Sequence, residues 1–354
     1  LEETFGICIS GDSIVYDAET GLPHRIDSLS DKVNDFYVQS VDDNNQCAIS
    51  KVTHWYDNGI KPVYELKTRN GSSIKATIDH KFLTEHGWIE LGELGIGDYI
   101  GTPRKLSEPT KATAFDRDKL RVLAYLIADG GLSNIAQVNF YNKDDAILDE
   151  YEHAISVFED FRTVTIKQIR KVSRIGARHN KGRYVTSLLA WLRELGLKHP
   201  SGSNPGGVRS HEKFIPDFIF GLNNDDIAFF LASLWDCDGY NGRKLCHYKT
   251  IGKQLAYDVQ TLLLRLGIHS TIYENAYENE KKDNRTSYQV TVYQTELLSQ
   301  RLAPYMVSSK RDVLCESSSG SSIERAKFIE EARELTQMSA HAMMREYGID
   351  RQHF

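Results

Sequence analysis

The chain repeats one pattern, Val122-Leu-Ala-Tyr-Leu-Ile-Ala-Asp129-Gly130 and Leu231-Ala-Ser-Leu-Trp-Asp-Cys-Asp238-Gly239. Each copy is an apolar run that ends in Asp-Gly, which predicts a buried helix stopped by a glycine free to take positive φ. Small residues in both runs predict that the two helices pack side by side, so that Asp129 and Asp238 meet at their ends. Two neighbouring carboxylates suit Mg²⁺ that also binds water and a substrate phosphate, so the pattern predicts a phosphodiesterase centre.

Asp-Gly is also a common way to leave a helix, and a single copy would leave solvated acids as the alternative. The elements after each copy favour a true repeat. After the first copy, strand, helix, strand, strand and helix patterns occupy 137–141, 146–158, 163–169, 183–186 and 187–195. After the second copy they occupy 245–248, 254–266, 268–274, 288–293 and 296–302. The sequence therefore predicts an α/β (α+β) domain over 116–315, made of two pseudo-twofold αββαββα repeats at about 116–200 and 213–306.

The region upstream of the repeats predicts a separate all-β module over 8–102, followed by a linker at 103–115. Gly, Asn, Asp and Pro separate short strand candidates at 13–16, 37–41, 47–55, 63–67, 73–77 and 99–102. The module also contains three motifs in order: Cys8-Ile-Ser-Gly-Asp12-Ser-Ile-Val15, Gly71-Ser-Ser-Ile-Lys-Ala-Thr77-Ile-Asp-His80-Lys-Phe-Leu-Thr-Glu-His-Gly87-Trp88, and Leu91-Gly-Glu-Leu-Gly-Ile-Gly97-Asp98-Tyr99-Ile100.

The second Asp-Gly copy resembles the LAGLIDADG nonapeptide of homing endonucleases, with Ser233, Trp235 and Cys237 as substitutions, and the first copy is a looser relative. The resemblance implies that the last Asp of each motif, Asp129 and Asp238, is catalytic and ligates the metal, Mg²⁺ or Mn²⁺. It also implies metal contacts from the backbone carbonyls of Ala128 and Cys237. Some members use lysines on later strands, for which the candidates are Lys143, Lys249 and Lys282, although DNA-facing or solvated lysines are the alternative.

The three upstream motifs resemble the N-terminal blocks of inteins, which implies a horseshoe-like Hint splicing fold. In that chemistry the Cys8 thiol attacks the carbonyl of Ile7, so the Ile7–Cys8 peptide is the cleavage site and a thioester replaces the amide. The resemblance implies that His80 protonates the departing nitrogen, that Thr77 steadies the peptide or His80, and that Asp12 adds polarisation. This reaction needs no cofactor.

The flanks fit an insertion in a longer protein. Residues 1–7, Leu-Glu-Glu-Thr-Phe-Gly-Ile, resemble a stretch of the bacterial DNA polymerase III alpha subunit and would be an N-extein remnant. At the other end, 322–354 form a charged, helix-favouring tail without the His-Asn pair that closes an intein. We therefore expect the flanking exteins and a missing or separate C-terminal intein segment as partners.

The charge distribution predicts one DNA-facing hairpin on an otherwise acidic chain. The formal net charge is −6, yet 162–193 contain no acidic residue. Lys and Arg neutralise phosphates, and a two-stranded ribbon fits the major groove. The alternative is a solvated hairpin. The predicted contacts to double-stranded DNA, the intein-free host allele, are Lys167, Arg170, Lys171, Arg174, Arg178, Lys181 and Arg183.

The remaining sequence features narrow the class of protein. Five cysteines show no zinc spacing, and nothing resembles a signal peptide or a membrane span, so we expect a cytoplasmic monomer with no membrane partner. Two alternatives stay open beside an intein with an active endonuclease. One is a decayed LAGLIDADG module that only binds DNA as a regulator, and the other is a hedgehog-like autoprocessing protein with an unrelated insert.

Overall fold

The computed structural model describes residues 8–33, 35–42, 47–134, 137–169, 172–179, 186–278 and 284–318. The N-terminal region consists of four antiparallel strand pairs joined by turns and 3₁₀ segments. The pairs are β1 (Ile14–Tyr16) with β2 (Pro23–Arg25), β3 (Tyr37–Val41) with β4 (Cys47–Lys51), β5 (Tyr64–Lys67) with β6 (Ser73–Ala76), and β7 (Lys81–Thr84) with β8 (Gly87–Glu90). The described residues of 8–102 contain no α-helix, which confirms the all-β prediction.

Sequence patterns located β1 and β3 to β6 and missed three strands. β2 begins at Pro23, a residue that reads as a strand breaker because it cannot donate to a ladder. β7 and β8 are short and lie inside the motif around His80. The strand predicted at 99–102 is wrong, because only Ile100 pairs there, through a single bridge to Thr84.

The two repeats have the predicted αββαββα order. The first contains α1 (Arg117–Asp129), β9 (Gly130–Gly131), β10 (Asn139–Asn142), α2 (Asp145–Ala154), β11 (Phe161–Ile169), β12 (Val172–His179) and α3 (Ser187–Glu194). The second contains α4 (Asn224–Asp238), β13 (Gly239–Asn241), β14 (Cys246–Thr250), α5 (Lys253–Arg265), β15 (Ser270–Glu278), β16 (Asn284–Val292) and α6 (Thr295–Leu302), and α7 (Lys310–Ser318) follows. The antiparallel sheets match strand for strand, β9-β10-β12-β11 in the first repeat and β13-β14-β16-β15 in the second.

One strand of the first repeat was misplaced by the sequence analysis. The partner of β11 is Val172–His179, not 183–186. The sequence pattern missed this strand because Gly176 interrupts its apolar residues and is typical of a turn. Of the predicted strand, 183–185 lie outside the described residues. Thr186 instead caps α3, since its Oγ1 accepts a hydrogen bond from the Leu189 amide at 3.1 Å.

The α1–α4 pair is the centre of the fold. Both helices are buried over most of their length, and the small residues Ala124, Ala232 and Ser233 have no exposed surface. N-caps fix where the helices begin, since Asp116 accepts from the Lys119 amide at 3.0 Å and Asn223 from the Asp226 amide at 2.9 Å. Small residues permit the side-by-side approach, as the sequence predicts.

The helices do not end in the predicted way. Gly130 and Gly239 have φ of −79° and −75°, so neither takes the left-handed conformation. They are glycines for a steric reason. A Cβ at Gly130 would overlap the Leu126 carbonyl, and one at Gly239 would overlap the Trp235 ring, because each chain turns tightly against its own helix into a strand.

The segment predicted as a linker is hydrogen-bonded both to the N-terminal region and to the repeats. The Thr110 and Lys111 amides donate to Ala18 O and Glu19 O at 3.2 and 2.8 Å. The Thr113 amide donates to Gly221 O at 3.0 Å, just ahead of α4. Residues 103–115 therefore join the two regions through backbone hydrogen bonds. In the part of the chain that the structure describes, no helix combines the length and apolarity that a bilayer span requires.

Replacing Gly239 by Ala should destabilise the repeats by at least about 2 kcal/mol, because the added methyl group is forced against the buried Trp235 ring. Urea unfolding followed by tryptophan fluorescence measures this loss. Gly95→Ala is the control, since its Cβ would meet only ordinary contacts at 3.6 Å or more, and should change stability by less than about 0.5 kcal/mol. Equal midpoints for the two variants would contradict the steric account.

Candidate functional sites

The first candidate site is the pair of aspartates at the ends of α1 and α4. Burial and the neighbouring charge of Asp129 raise the pKa of Asp238 to about 6. Burial also raises the pKa of Asp129, against the opposing influence of Lys213. The structure therefore brings the two predicted acids within electrostatic reach of each other in a partly desolvated position.

Each aspartate is held by a different side chain from the following strand. Asn142 Nδ2 donates to Asp129 Oδ2 at 2.8 Å. The orientation of that amide is fixed because Asn142 Oδ1 accepts from the backbone amides of Lys143 and Asp144 at 2.8 and 2.9 Å. In the second repeat the buried Tyr248 hydroxyl makes a longer contact of 3.5 Å to Asp238 Oδ2. The two halves thus support equivalent acids with non-equivalent partners.

Two lysines that the sequence analysis missed complete the site. Lys213 Nζ donates to Ala128 O at 2.8 Å, and Lys310 Nζ donates to Cys237 O at 2.7 Å. Each lysine thus binds the carbonyl just before one of the two aspartates. Their positions in the sequence were the available signal, since each lysine follows the last helix of a repeat. The family resemblance instead pointed to lysines on later strands.

Lys213 is buried, and Lys310, Asp129 and Asp238 are half-buried. Burial lowers the pKa of Lys213 to about 8, although Asp238 and Asp129 act in the opposite direction. Burial likewise lowers the pKa of Lys310, again against the nearby acids. Lys213 therefore titrates close to physiological pH, which makes it able both to neutralise a phosphate and to exchange a proton.

Buried carboxylates hold the segments that carry these lysines. Asp258 on α5 accepts from the Ile215 amide at 2.9 Å, two residues beyond Lys213. Asp236 accepts from the Val307 and Ser308 amides, both at 3.1 Å, and from Ser308 Oγ at 2.6 Å, just ahead of Lys310. Neither segment belongs to a strand, so these hydrogen bonds rather than sheet pairing set where the ammonium groups lie.

The lysines predicted from sequence lie elsewhere. Lys143 and Lys249 are exposed. Lys249 lines a cleft of about 340 Å³ together with Lys213 and Asp238, so it faces the same opening without the buried contacts of Lys213. Lys282 lies outside the described residues.

The donor set at the aspartates fits a hard divalent cation. Among the described residues no group of three or more His, Cys, Asp or Glu side chains is arranged to hold a metal, so side chains offer two carboxylates. The carbonyls of Ala128 and Cys237 accept hydrogen bonds from lysines, yet each keeps a second lone pair. A cation would relieve the repulsion that raises the pKa of Asp238. Oxygen donors with room for water and phosphate are what Mg²⁺ and Mn²⁺ take.

The sheets present a polar face away from the helices. Phe140 and Ile175 are buried and pair across β10 and β12, so the next pair, Tyr141 with Arg174, points to the opposite face. In the second sheet the corresponding position on that face pairs Lys249 with Gln289. This face therefore carries Arg174 in the first repeat and Lys249 in the second.

The structure places only part of the predicted basic hairpin. The backbone of Lys167 lies in β11 and that of Arg178 in β12. Arg174 lies opposite Tyr141, and the remaining predicted contacts, Arg170, Lys171, Lys181 and Arg183, lie outside the described residues.

The second candidate site surrounds Cys8. Thr77, at the end of β6, clamps this residue through its backbone: the Thr77 amide donates to Cys8 O at 2.9 Å, and the Cys8 amide donates to Thr77 Oγ1 at 3.0 Å. Asn58 Nδ2 approaches Cys8 Sγ at 3.3 Å and is a donor to the thiol that the sequence analysis missed. Thr77 thus accepts a hydrogen bond from the Cys8 nitrogen, which cleavage of the peptide bond between residues 7 and 8 would release. Ile7 itself lies outside the described residues.

His80 and Asp12 have different surroundings. The His80 amide donates to Thr77 O at 3.1 Å, and burial lowers the pKa of the ring, which is therefore neutral at pH 7. Among the described residues none forms a hydrogen bond with the buried His80 Nδ1. Asp12 accepts hydrogen bonds from Ser10 and Lys75, which lower its pKa, so its contacts are with those residues rather than with Cys8.

Comparison with known proteins gives the class. Residues 225–302 match the sequence model of the LAGLIDADG-like domain family. The chain is 35% identical over 300 residues to the replicative DNA helicase DnaB of Synechocystis sp.. The aligned stretch covers 80% of this chain and 33% of that protein. RecA of Mycobacterium tuberculosis is 29% identical over 287 residues, covering 75% of this chain and 33% of that protein. The chain thus spans about a third of the length of these relatives.

Solved structures add two further similarities. The chain is 39% identical to a DnaB intein from Synechocystis sp., over 28% of this chain and 70% of that chain, with a TM-score of 0.27. It is 14% identical to the homing endonuclease I-DmoI in a crystal with DNA and Mn, over 55% of this chain and 97% of that chain, with a TM-score of 0.37.

The second repeat therefore contains a LAGLIDADG-like domain, in which Asp238 ends the motif helix. The family match supports the LAGLIDADG part of the class that the motifs predict.

Asp238→Asn should stabilise the metal-free protein at pH 7.5 and leave it unchanged at pH 4. A carboxyl group whose pKa is raised from 3.8 to about 6 by folding favours the folded state when protonated, and this contribution is lost as pH rises through about 6. The substitution removes that loss, with a gain on the order of 1–3 kcal/mol. Urea unfolding in EDTA at the two pH values measures it. A variant less stable than wild type at pH 7.5 would contradict the assignment of a repelled, desolvated acid.

Proposed function

We propose that the two repeats form a site-specific, metal-dependent endonuclease that makes a double-strand break in DNA. The observation that carries the proposal is the pair of helix-end aspartates, each preceded by a carbonyl that accepts a hydrogen bond from a lysine. Asp129 and Asp238 would share Mg²⁺ or Mn²⁺ between the repeats, with the Ala128 and Cys237 carbonyls as further oxygen donors. When bound, the cation supplies Lewis-acid polarisation of the phosphate and a water of lowered pKa.

Lys213 and Lys310 would assist cleavage independently of the metal. An ammonium beside the scissile phosphate stabilises the negative charge that develops on its oxygens. Lys213, whose pKa is lowered to about 8, can also protonate a leaving oxygen at neutral pH. Their carbonyl contacts hold both ammonium groups beside the acids before DNA arrives, so little reorganisation is needed.

Double-stranded DNA would lie on the polar face of the two sheets. Arg174 on β12 lies on that face of the first sheet, and Lys249 on β14 lies on that face of the second. The cleft lined by Lys249, Lys213 and Asp238 opens between that face and the acids. Base and phosphate contacts from the first-repeat hairpin, including its predicted basic residues, would set the recognition site.

Plasmid cleavage with Mg²⁺ tests the nuclease. The substrate carries the uninterrupted polymerase gene segment, and wild type should make a single double-strand cut near the codon for Ile7. Asp129→Asn and Asp238→Asn should abolish the cut, and Lys213→Met should slow it by about 100-fold, as for loss of one preorganised donor. The matched controls are Asp225→Asn and Lys244→Met, which change exposed residues and should cut normally.

Either of two results would reject the endonuclease proposal. Salt-sensitive binding to the plasmid without cleavage would favour the DNA-binding regulatory alternative. Cleavage that survives both aspartate substitutions would show that the acids are not the catalytic centre.

We also propose that the N-terminal region catalyses the first step of protein splicing. The Cys8 sulfur adds to the Ile7 carbonyl, the Ile7–Cys8 C–N bond breaks, and the Cys8 nitrogen takes up a proton as the thioester forms. The hydrogen bond from the Cys8 amide to Thr77 Oγ1 supports a role for Thr77 in holding that nitrogen. The neutral, half-buried His80 near Thr77 is suited to accept the proton that the Cys8 thiol loses and to pass it to the departing nitrogen.

The surface of this region supports a C-terminal intein segment as partner. Among its described hydrophobic residues only Ala18, Leu29, Phe36 and Ala76 are buried. Large exposed apolar residues are frequent, and they are Ile14, Val41, Ile49, Tyr56, Ile60, Val63, Tyr64, Ile78, Trp88, Ile96 and Tyr99. We propose that the C-terminal intein segment packs against some of these residues. The exteins would then be joined after that segment binds, and the resemblance of residues 1–7 makes DNA polymerase III alpha the proposed host.

Thiol-induced release of residues 1–7 tests the splicing proposal. Dithiothreitol should free this peptide from wild type, not at all from Cys8→Ala, and at least about tenfold more slowly from Thr77→Ala. Cys47→Ala is the matched control, because this exposed cysteine lies away from the clamp. DNA cleavage should remain intact in all three variants. Release that persists in Cys8→Ala would overturn the assignment of the nucleophile.

A further inference from the structure

The β5–β6 hairpin turn of the N-terminal region, Thr68–Ser72, lies against the second endonuclease repeat. The Ile272 amide of β15 donates to Asn70 O at 3.0 Å. Two side chains of α5 reach the same turn, since Tyr257 Oη donates to Gly71 O at 3.1 Å and Gln260 Nε2 donates to Asn70 O at 3.0 Å. Three hydrogen bonds from two elements of the repeat therefore meet two adjacent carbonyls.

The contact is shaped for glycine. Gly71 has φ of +88°, and a Cβ built on it would lie 2.8 Å from Ile272 O and 2.9 Å from Ile272 Cβ. The hydrogen bond from Ile272 also lies on the edge of β15 that does not pair with β16, so the turn covers a sheet edge. Backbone fits against backbone here, which leaves little freedom for the turn to shift.

The same turn begins the strand that organises the splicing site. β6 follows at once, and it pairs with β5 on one side and with the Cys8 segment on the other, through the Ile9–Ala76 bridge and the Ser10 amide donating to Lys75 O at 2.8 Å. Thr77 is the next residue. A strand of this length spans about 13 Å at about 3.3 Å per residue, and a two-stranded hairpin alone is marginally stable in water.

We propose that the Thr68–Ser72 turn is a brace through which the endonuclease domain fixes β6, and so makes Gly71 a positioning residue for Thr77 and Cys8. The inference rests on the proposed splicing function and extends it, because it makes the acyl shift depend on a contact with the other domain. Displacing the turn would move the template strand relative to Cys8. Misplacement of a catalytic group by about 1 Å costs up to about 100-fold in rate.

The test compares Gly71→Ala with Gly87→Ala in the full chain. Gly71 lies in a hairpin turn and Gly87 directly follows one, both at positive φ, +88° and +97°, so both substitutions carry similar backbone strain. A Cβ at Gly87, however, meets nothing within 4 Å. Thiol-induced release of residues 1–7 should slow by about 10- to 100-fold in Gly71→Ala and by less than about twofold in Gly87→Ala. Tyr257→Phe, which removes one hydrogen bond to the turn, should give a smaller loss in the same direction.

Hydrogen exchange supplies a readout that does not need splicing activity. The Ile272 amide, bonded to Asn70, and the Thr77 amide, bonded to Cys8, should exchange faster in Gly71→Ala than in Gly87→Ala. The Leu91 amide, which donates to His80 O at 2.8 Å, is the internal reference and should not change, whereas general loosening of the region would accelerate all three. Equal exchange at Thr77 in the two variants would overturn the brace.

The two readouts separate the possible failures. If wild type releases no peptide, the proposed splicing function fails, and exchange at Thr77 still decides whether the turn fixes the strand. If wild type is active and both glycine variants release the peptide at equal rates, the splicing proposal stands and the brace is rejected.

Discussion

The structure depends on the close packing of α1 against α4. That packing requires the small residues at the interface, and it also encloses Arg121, whose Nη1 donates to Ser233 Oγ at 3.0 Å and whose guanidinium carbon lies 4.3 Å from the centre of the Phe229 ring. A buried cation costs several kcal/mol unless it is paired, and Glu150 supplies the partner at 3.1 Å. The same approach forces Asp129 and Asp238 together. The core therefore builds in an electrostatic repulsion, which the flanking lysines reduce and a cation would reduce further.

The repeats share topology but not chemistry. The register places Phe140 opposite Gly130 and Tyr248 opposite Gly239, so the same strand position is apolar in one half and bears a hydroxyl toward the acid in the other. Asp129 instead takes its hydrogen bond from Asn142. Because each acid has its own partners, the two need not contribute equally to the proposed cleavage. For the proposed endonuclease, a site assembled from such halves would suit a DNA target whose half-sites differ.

The sequence predicted those features that depend on periodicity and local chemistry. The positions at which the two helices end, the order of elements in both repeats and the adjacency of Asp129 and Asp238 follow from a repeated apolar pattern ending in Asp-Gly, whereas the conformation of the two glycines does not. It did not predict Lys213 and Lys310, since their placement depends on hydrogen bonds to Asp258 and Asp236 that connect residues far apart in the chain. Contacts of that kind leave no periodic pattern.

The two regions of the chain are fixed together by backbone contacts as well as by side chains. Gly21 at φ +75° fits against the Phe220 carbonyl, and Tyr16 packs on the Phe220 ring at 5.4 Å, near the start of α4. Gly71 makes the second attachment, against β15. Two separated attachments restrict rotation of one region on the other far more than one flexible linker would. The strand that holds Cys8 and the helix that ends in Asp238 consequently belong to one connected framework. A substitution in either region that shifts these contacts should therefore alter the geometry of both sites.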